Sequence, residues 1–175
     1  MTRRKAPAQI ARQVLREMNI TTTPVNIESI IKSYDITLST APFQDDISGV
    51  LFIKDKNDPQ IIVNEAHHRN RQRFTMAHEL AHFLLHKKSG IHIDKKLFTR
   101  NAKSQTGEEP IEIEANRFAA ELLMPKELIQ KELKDFDGLA DDNEDIVYGL
   151  AQKLEVSTAA MSIRLQNLGY LPKEF

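Results

Sequence analysis

The sequence predicts an α+β fold: a mostly helical domain carrying a small antiparallel sheet, followed by a helical C-terminal tail. Apolar residues recur at i, i+3, i+4 along most segments, and the period drops to two only between Ile36 and Asn64. With 175 residues and 41% hydrophobic positions, the chain can build one sizeable core, or one core with a small satellite, but not two large domains.

Ile10, Val14, Leu15 and Met18 share one helical face over Ala8 to Asn19, and Thr21-Thr22-Thr23-Pro24 stops the pattern. A second short helix over Asn26 to Tyr34 groups Ile27, Ile30 and Ile31, and the chain turns at Asp35 into a strand at Ile36 to Leu38. Gly49 to Lys54 and Gln60 to Asn64 read as two further strands, joined by the turn formers Asp55 to Pro59. The central helix runs from Arg69 to His86, with Phe74, Ala77, Leu80, Ala81, Leu84 and Leu85 as its apolar stripe. Lys87 to Thr106 reads as a polar, irregular, mobile loop.

Thr106 and Glu109 have capping-box spacing ahead of Pro110, which a first helical turn tolerates, and the helix they open reaches about Met124. Pro125 interrupts it and Lys126 to Leu133 resumes. Asp135 to Asp145 holds six acidic residues in eleven positions, a solvated connector. Ile146 to Leu171 gives two short helices meeting near Glu155 to Ser157. The expected organisation is therefore a domain over residues 1–135, with the connector and a small helix-turn-helix-like subdomain over 136–175 packed on it.

The 24 Lys and Arg against 25 Asp and Glu leave a net charge of −1, so no global positive field attracts nucleic acid or an anionic membrane. The absence of cysteine excludes disulfides, thiol nucleophiles and thiolate metal sites. The basic residues Arg3, Arg4 and Lys5 lead into a polar amphipathic stretch rather than a signal-peptide core, and no apolar run approaches the roughly 20 residues of a membrane span. A cytoplasmic protein without membrane contact is expected.

His78-Glu79-Leu80-Ala81-His82 matches H-E-x-x-H and falls inside the central helix, the context that motif requires. For six His and fourteen Glu in this chain, chance supplies roughly 0.02 such matches. Residues four apart lie on one face with Cβ atoms roughly 6 Å apart, so the two imidazoles can converge on one ion. Glu79, about 100° round the helix, can reach an attacking water without ligating. The competing reading is two surface histidines on an amphipathic helix.

A catalytic zinc needs a third protein ligand and an open position. On the downstream helix, Ile111, Ala115, Phe118, Ala119 and Leu122 define the apolar face, and Glu112 falls about 60° from its centre. Glu114 lies about 100° away on the other side, with Arg117 and Glu121, where a solvated role suffices. Glu112 is therefore the expected third ligand, because a carboxylate on the core side needs a partner or a metal. A helix-start Glu favoured by the dipole is the alternative. Asn116, one turn on, can hold a ligating imidazole by its second ring nitrogen or serve a core hydrogen bond elsewhere. His86, about 12 Å from His78 along the axis, is too far for the same ion and reads as a histidine on the helix C-terminal dipole. His67, His68 and His92 fall in loops and read as exposed, with His92 able to close over the cleft. Tyr34 and Tyr148 are candidate oxyanion donors or core aromatics.

The chain resembles the ImmA/IrrE-type metallopeptidases, small gluzincin-like bacterial and phage proteins. The resemblance is carried by Ile62-Val63-Asn64, by Arg73-Phe74-Thr75-Met76-Ala77-His78-Glu79-Leu80-Ala81-His82-Phe83-Leu84-Leu85-His86 and by Glu112-Ile113-Glu114-Ala115-Asn116-Arg117-Phe118-Ala119-Ala120-Glu121-Leu122-Leu123-Met124-Pro125. With the tail it covers roughly residues 24 to 171. It implies a zincin-like domain, His78, His82 and Glu112 as Zn2+ ligands, and Glu79 as the catalytic carboxylate. Ligand type alone does not separate zinc from Mn2+. The resemblance further implies a regulatory endopeptidase that cleaves a helix-turn-helix repressor and so switches on mobile-element, phage or stress genes.

Two other functions compete. Leu150 to Arg164 has helix-turn-helix rhythm with Ser157 as a cap, but only Lys153 and Arg164 are basic there, too few for phosphate contacts, so direct DNA binding is not expected. A metal-binding sensor that acts without proteolysis would leave Glu79 without a purpose. In the enzymatic reading, the strand at Gly49 to Lys54 is the expected edge along which an extended substrate pairs.

Overall fold

Pro7, whose missing N–H costs nothing in a first helical turn, opens α1 (Pro7–Glu17), which buries Ala11, Val14 and Leu15. The computed structural model describes residues 5–53, 58–86, 90–95, 109–134 and 143–172. α2 (Ile27–Ser33) is capped by Asn26, whose side chain accepts from the Ser29 N–H at 3.0 Å, and it buries Ile27, Ile30 and Ile31. Asp35, at φ 55°, turns the chain into the sheet.

The sheet comprises β1 (Thr37–Ala41), β2 (Ile47–Ile53), β3 (Pro59–Asn64) and β4 (Gly90–Lys95), in the order β1-β3-β2-β4. The α+β class therefore holds, with β2 antiparallel to both neighbours and β1 parallel to β3. Two expectations are corrected. β2 is an interior strand, hydrogen-bonded on both sides, rather than the edge. β4 occupies part of the stretch read as a loop; residues 87–89 and 96–106 lie outside the described residues.

Register decides what the sheet presents. Leu38, Ile61, Leu51 and His92 form one cross-strand row, so they share a face, and the first three pack into or against the core. Ile91 and Ile93 point the other way and are exposed. Buried Asn64 closes the end of β3: its side-chain amide donates to the carbonyl oxygens of Ile47 at 2.9 Å and Gln44 at 3.2 Å, and its oxygen accepts from Ala66 N–H at 3.0 Å.

α3 (Arg69–Ala81) lies between this face, α2 and α4, and Arg73 and every residue from Thr75 to Ala81 are buried. Its continuation, His82–His86, is a π-helical turn. The helix approaches β2 closely because Gly49 has no side chain: a Cβ there would stand 2.5 Å from Thr75 Cγ2. α4 (Glu109–Leu123) buries Ala115, Phe118, Ala119, Leu122 and Leu123 between α1 and α3. Pro125 separates it from α5 (Lys126–Leu133).

α6 (Asn143–Leu154) and α7 (Thr158–Leu168) meet at Glu155 to Ser157, and Ser157 caps α7 by accepting from the Ala160 N–H at 3.1 Å. The corner is tied to α3. Arg73 donates to the Glu155 carbonyl at 3.2 Å and the Val25 carbonyl at 2.9 Å, and Asn70 donates to the Val156 carbonyl at 2.9 Å. Burial lowers the pKa of the Arg73 guanidinium, and the Glu155 carboxylate at 3.4 Å opposes that shift. Thr106 of the expected capping box and residues 135–142 of the expected connector lie outside the described residues. Among the described residues, no helix is long and apolar enough to cross a membrane.

Candidate metal centre

The i, i+4 spacing on α3 sets the imidazoles of His78 and His82 side by side, both nearly buried, with ring centroids 4.7 Å apart and Nε2 atoms 2.9 Å apart. From α4, Glu112 brings Oε2 to 3.0 Å from His78 Nε2 and Oε1 to 3.4 Å from His82 Nε2. Potential ligand atoms of these three residues all lie within 4.8 Å of one another. The helical wheel sets Glu112 rather than Glu114 toward the core side, and Glu112 meets both histidines. Glu114 instead stands 3.8 Å from His86 Nε2.

Whether a cation suits this cluster follows from its hydrogens. His78 Nδ1 donates to Asn116 Oδ1 at 3.0 Å, which leaves the lone pair on Nε2. That lone pair faces a carboxylate oxygen and a second imidazole nitrogen, an arrangement that a shared cation relieves. Two imidazole nitrogens and one carboxylate are a donor set for zinc or manganese, and three protein ligands leave a coordination position open. Asn116 therefore bonds the second ring nitrogen of His78.

Electrostatics keep the cluster ready for a cation. Burial pushes the His82 imidazole down to about 4, with the neighbouring His78 and His92 acting in the same direction and a hydrogen bond to Glu112 opposing them. Burial alone would raise Glu112, but the surrounding imidazoles of His78, His82 and His92 hold it well below the usual carboxylate range. Glu79 is fully buried and lies on the sheet side of α3, with its Cγ 3.7 Å from where a Gly49 Cβ would be.

His92, expected in a loop but able to close over the cleft, does face the cluster. It stands on β4 rather than in a loop, with Nδ1 3.3 Å from Glu79 Oε2 and Nε2 3.2 Å from Glu112 Oε1. Its ring lies against His82, centroids 3.8 Å apart. Burial disfavours its charged form, but hydrogen bonds to Glu112 and Glu79 prevail and push it up to about 10. The available signal was the alternation Ile91-His92-Ile93, which aims a lone polar residue at the face opposite two apolar ones.

The remaining candidates fall elsewhere. His68 caps α3, with Nδ1 accepting from the Asn70 N–H at 3.2 Å, and the His67 carbonyl accepts from Gln72 at 2.7 Å. His86 ends the π-helical turn, its ring 5.4 Å from His82. Tyr34 ends α2, packed against the core, and Tyr148 is 61% exposed on α6. Glu121, expected on a solvated face, is instead buried between Arg12 at 3.1 Å and Arg164 at 2.7 Å, because α1 and α7 cover that side of α4.

An α+β scaffold that gathers two helical histidines and a glutamate from the next helix defines a metallopeptidase-type protein. Residues 31–166 match the peptidase family described as the IrrE N-terminal-like domain, and the chain belongs to that family. Comparison with curated proteins gives no match.

Proposed function

We propose that the protein is a zinc-dependent endopeptidase of the cytoplasm that cleaves a helix-turn-helix transcriptional repressor and so relieves repression of mobile-element, phage or stress genes. The observation that carries this reading is the convergence of His78, His82 and Glu112 beside the buried carboxylate of Glu79. His78, His82 and Glu112 would hold the ion. Bound there, a divalent ion would supply Lewis acidity toward a carbonyl and toward water. Glu79 accepts the proton of the attacking water and passes it to the leaving amine. β4, an outer strand that also carries His92, takes over from β2 as the strand along which an extended substrate pairs.

Direct DNA binding is not part of this reading. Lys153 and Arg164, the two cations of the α6–α7 span, bind Glu132 at 2.8 Å and Glu121 at 2.7 Å. The test is co-expression with candidate repressors encoded nearby, comparing wild type with Glu79→Gln while zinc and manganese content are measured. Repressor fragments with wild type alone, at equal metal content, are expected. Derepression by both proteins without cleavage would replace the enzyme with a metal-dependent binding switch.

A further inference from the structure

The row Leu38, Ile61, Leu51, His92 is apolar until it reaches the candidate metal centre, where the sheet's outer strand offers a histidine. Packing alone would be served by an apolar residue there. His92 instead touches both carboxylates of the site, one from α3 and one from α4.

We propose that His92 is a positioning residue for the metal centre: its Nε2 fixes Glu112 through Oε1, its Nδ1 fixes Glu79 through Oε2, and its ring covers His82. The inference rests on reading that cluster as a metal centre. Ionised carboxylates only accept, so each ring nitrogen is the natural donor to the oxygen it faces. Glu112, a third exposed, sits on α4 with freedom to swing toward solvent, and a donor on Oε1 restricts it to the rotamer that presents Oε2 toward His78. Glu79 is likewise turned so that Oε2 faces β4. Because β4 pairs with β2 alone among the described residues, His92 also couples the placement of both carboxylates to the strand proposed to bind substrate.

The two contacts can be separated by substitution. A glutamine amide reaches about as far as Nε2 and an asparagine amide about as far as Nδ1, so His92→Gln keeps the donor to Glu112 and His92→Asn keeps the donor to Glu79. Zinc affinity of the full chain is measured by competition with a chromophoric chelator for wild type, His92→Ala, His92→Asn and His92→Gln. Alanine and asparagine are expected to weaken zinc binding about tenfold, and glutamine to restore most of it. On a quenched fluorescent peptide cut by the wild type, at saturating zinc, alanine and glutamine should lower kcat with KM unchanged, and asparagine should recover it.

Wild-type zinc affinity in His92→Ala, or equal weakening in all three variants, overturns the proposal. A wild type that takes up no zinc removes the metal centre itself, and is told apart because the deficit precedes any change at His92. Thermal unfolding of the metal-free proteins checks folding, and if His92→Ala does not fold, the contrast between glutamine and asparagine decides.

Discussion

His78 Nδ1 donates to Asn116 Oδ1 at 3.0 Å, a bond from α3 to α4 that selects which imidazole nitrogen keeps its lone pair. Asn116 lies one turn beyond Glu112, so a single helical face supplies both a ligand candidate and the group that orients a second one. Asn116→Ala should leave the fold intact and weaken zinc binding by about tenfold or more, read by chelator competition. Asn116→Asp retains the acceptor and should bind zinc nearly as wild type does. Equal loss in both variants would mean that the amide acts otherwise than by accepting from Nδ1.

The approach of α3 to β2 depends on Gly49. An added Cβ would stand 2.5 Å from Thr75 Cγ2 and 3.2 Å from the Ile62 carbonyl oxygen. Gly49→Ala should therefore cost about 1–3 kcal/mol in urea unfolding through overpacking. Thr75→Ser deletes the clashing methyl and should recover part of that loss in the double variant. An additive double variant would place the strain elsewhere.

The helices were legible because each carries enough apolar residues to show its period, and the candidate site residues because Glu79 and the two histidines share one helix and Glu112 sits beside a clear apolar stripe. β4 was not, because its pattern amounts to Ile91, His92 and Ile93 between polar flanks, and its pairing with β2 joins residues some forty positions apart. Glu121 was misplaced for a related reason. A helical wheel tells which face is apolar, but not that α1 and α7, far away in sequence, bring Arg12 and Arg164 over the other face.

That buried cluster should anchor the tail. Glu121 and Arg164 are both largely buried and only 2.7 Å apart, whereas the Arg12 side chain is 36% exposed. Removing one partner of a buried pair leaves the other charge uncompensated, so Glu121→Ala should lose about 3–5 kcal/mol in urea unfolding. Arg12→Ala should lose under about 1 kcal/mol. Similar losses in the two variants would count against Arg164 as the residue that makes Glu121 indispensable.

In the metal-free protein, His82 and His92 should shape stability from opposite sides of neutrality. His82 is lowered to about 4 in the fold, from an ordinary value near 6.5, so the unfolded chain binds its proton first. Its contribution is present above pH 6.5 and is lost as pH falls toward 4. Glu112, held low, adds to the loss on the acid side. His92 is raised to about 10, so its contribution is complete below pH 6.5 and is lost as pH rises toward 10. Thermal unfolding after exhaustive chelation should therefore give a Tm maximum near pH 6.5, falling on both sides. His92→Gln should flatten the alkaline limb and reduce the acid limb only in part, because burial remains the main cause of the His82 shift. An alkaline limb unchanged by that substitution would show that the hydrogen bonds from His92 to Glu79 and Glu112 do not hold its proton in solution.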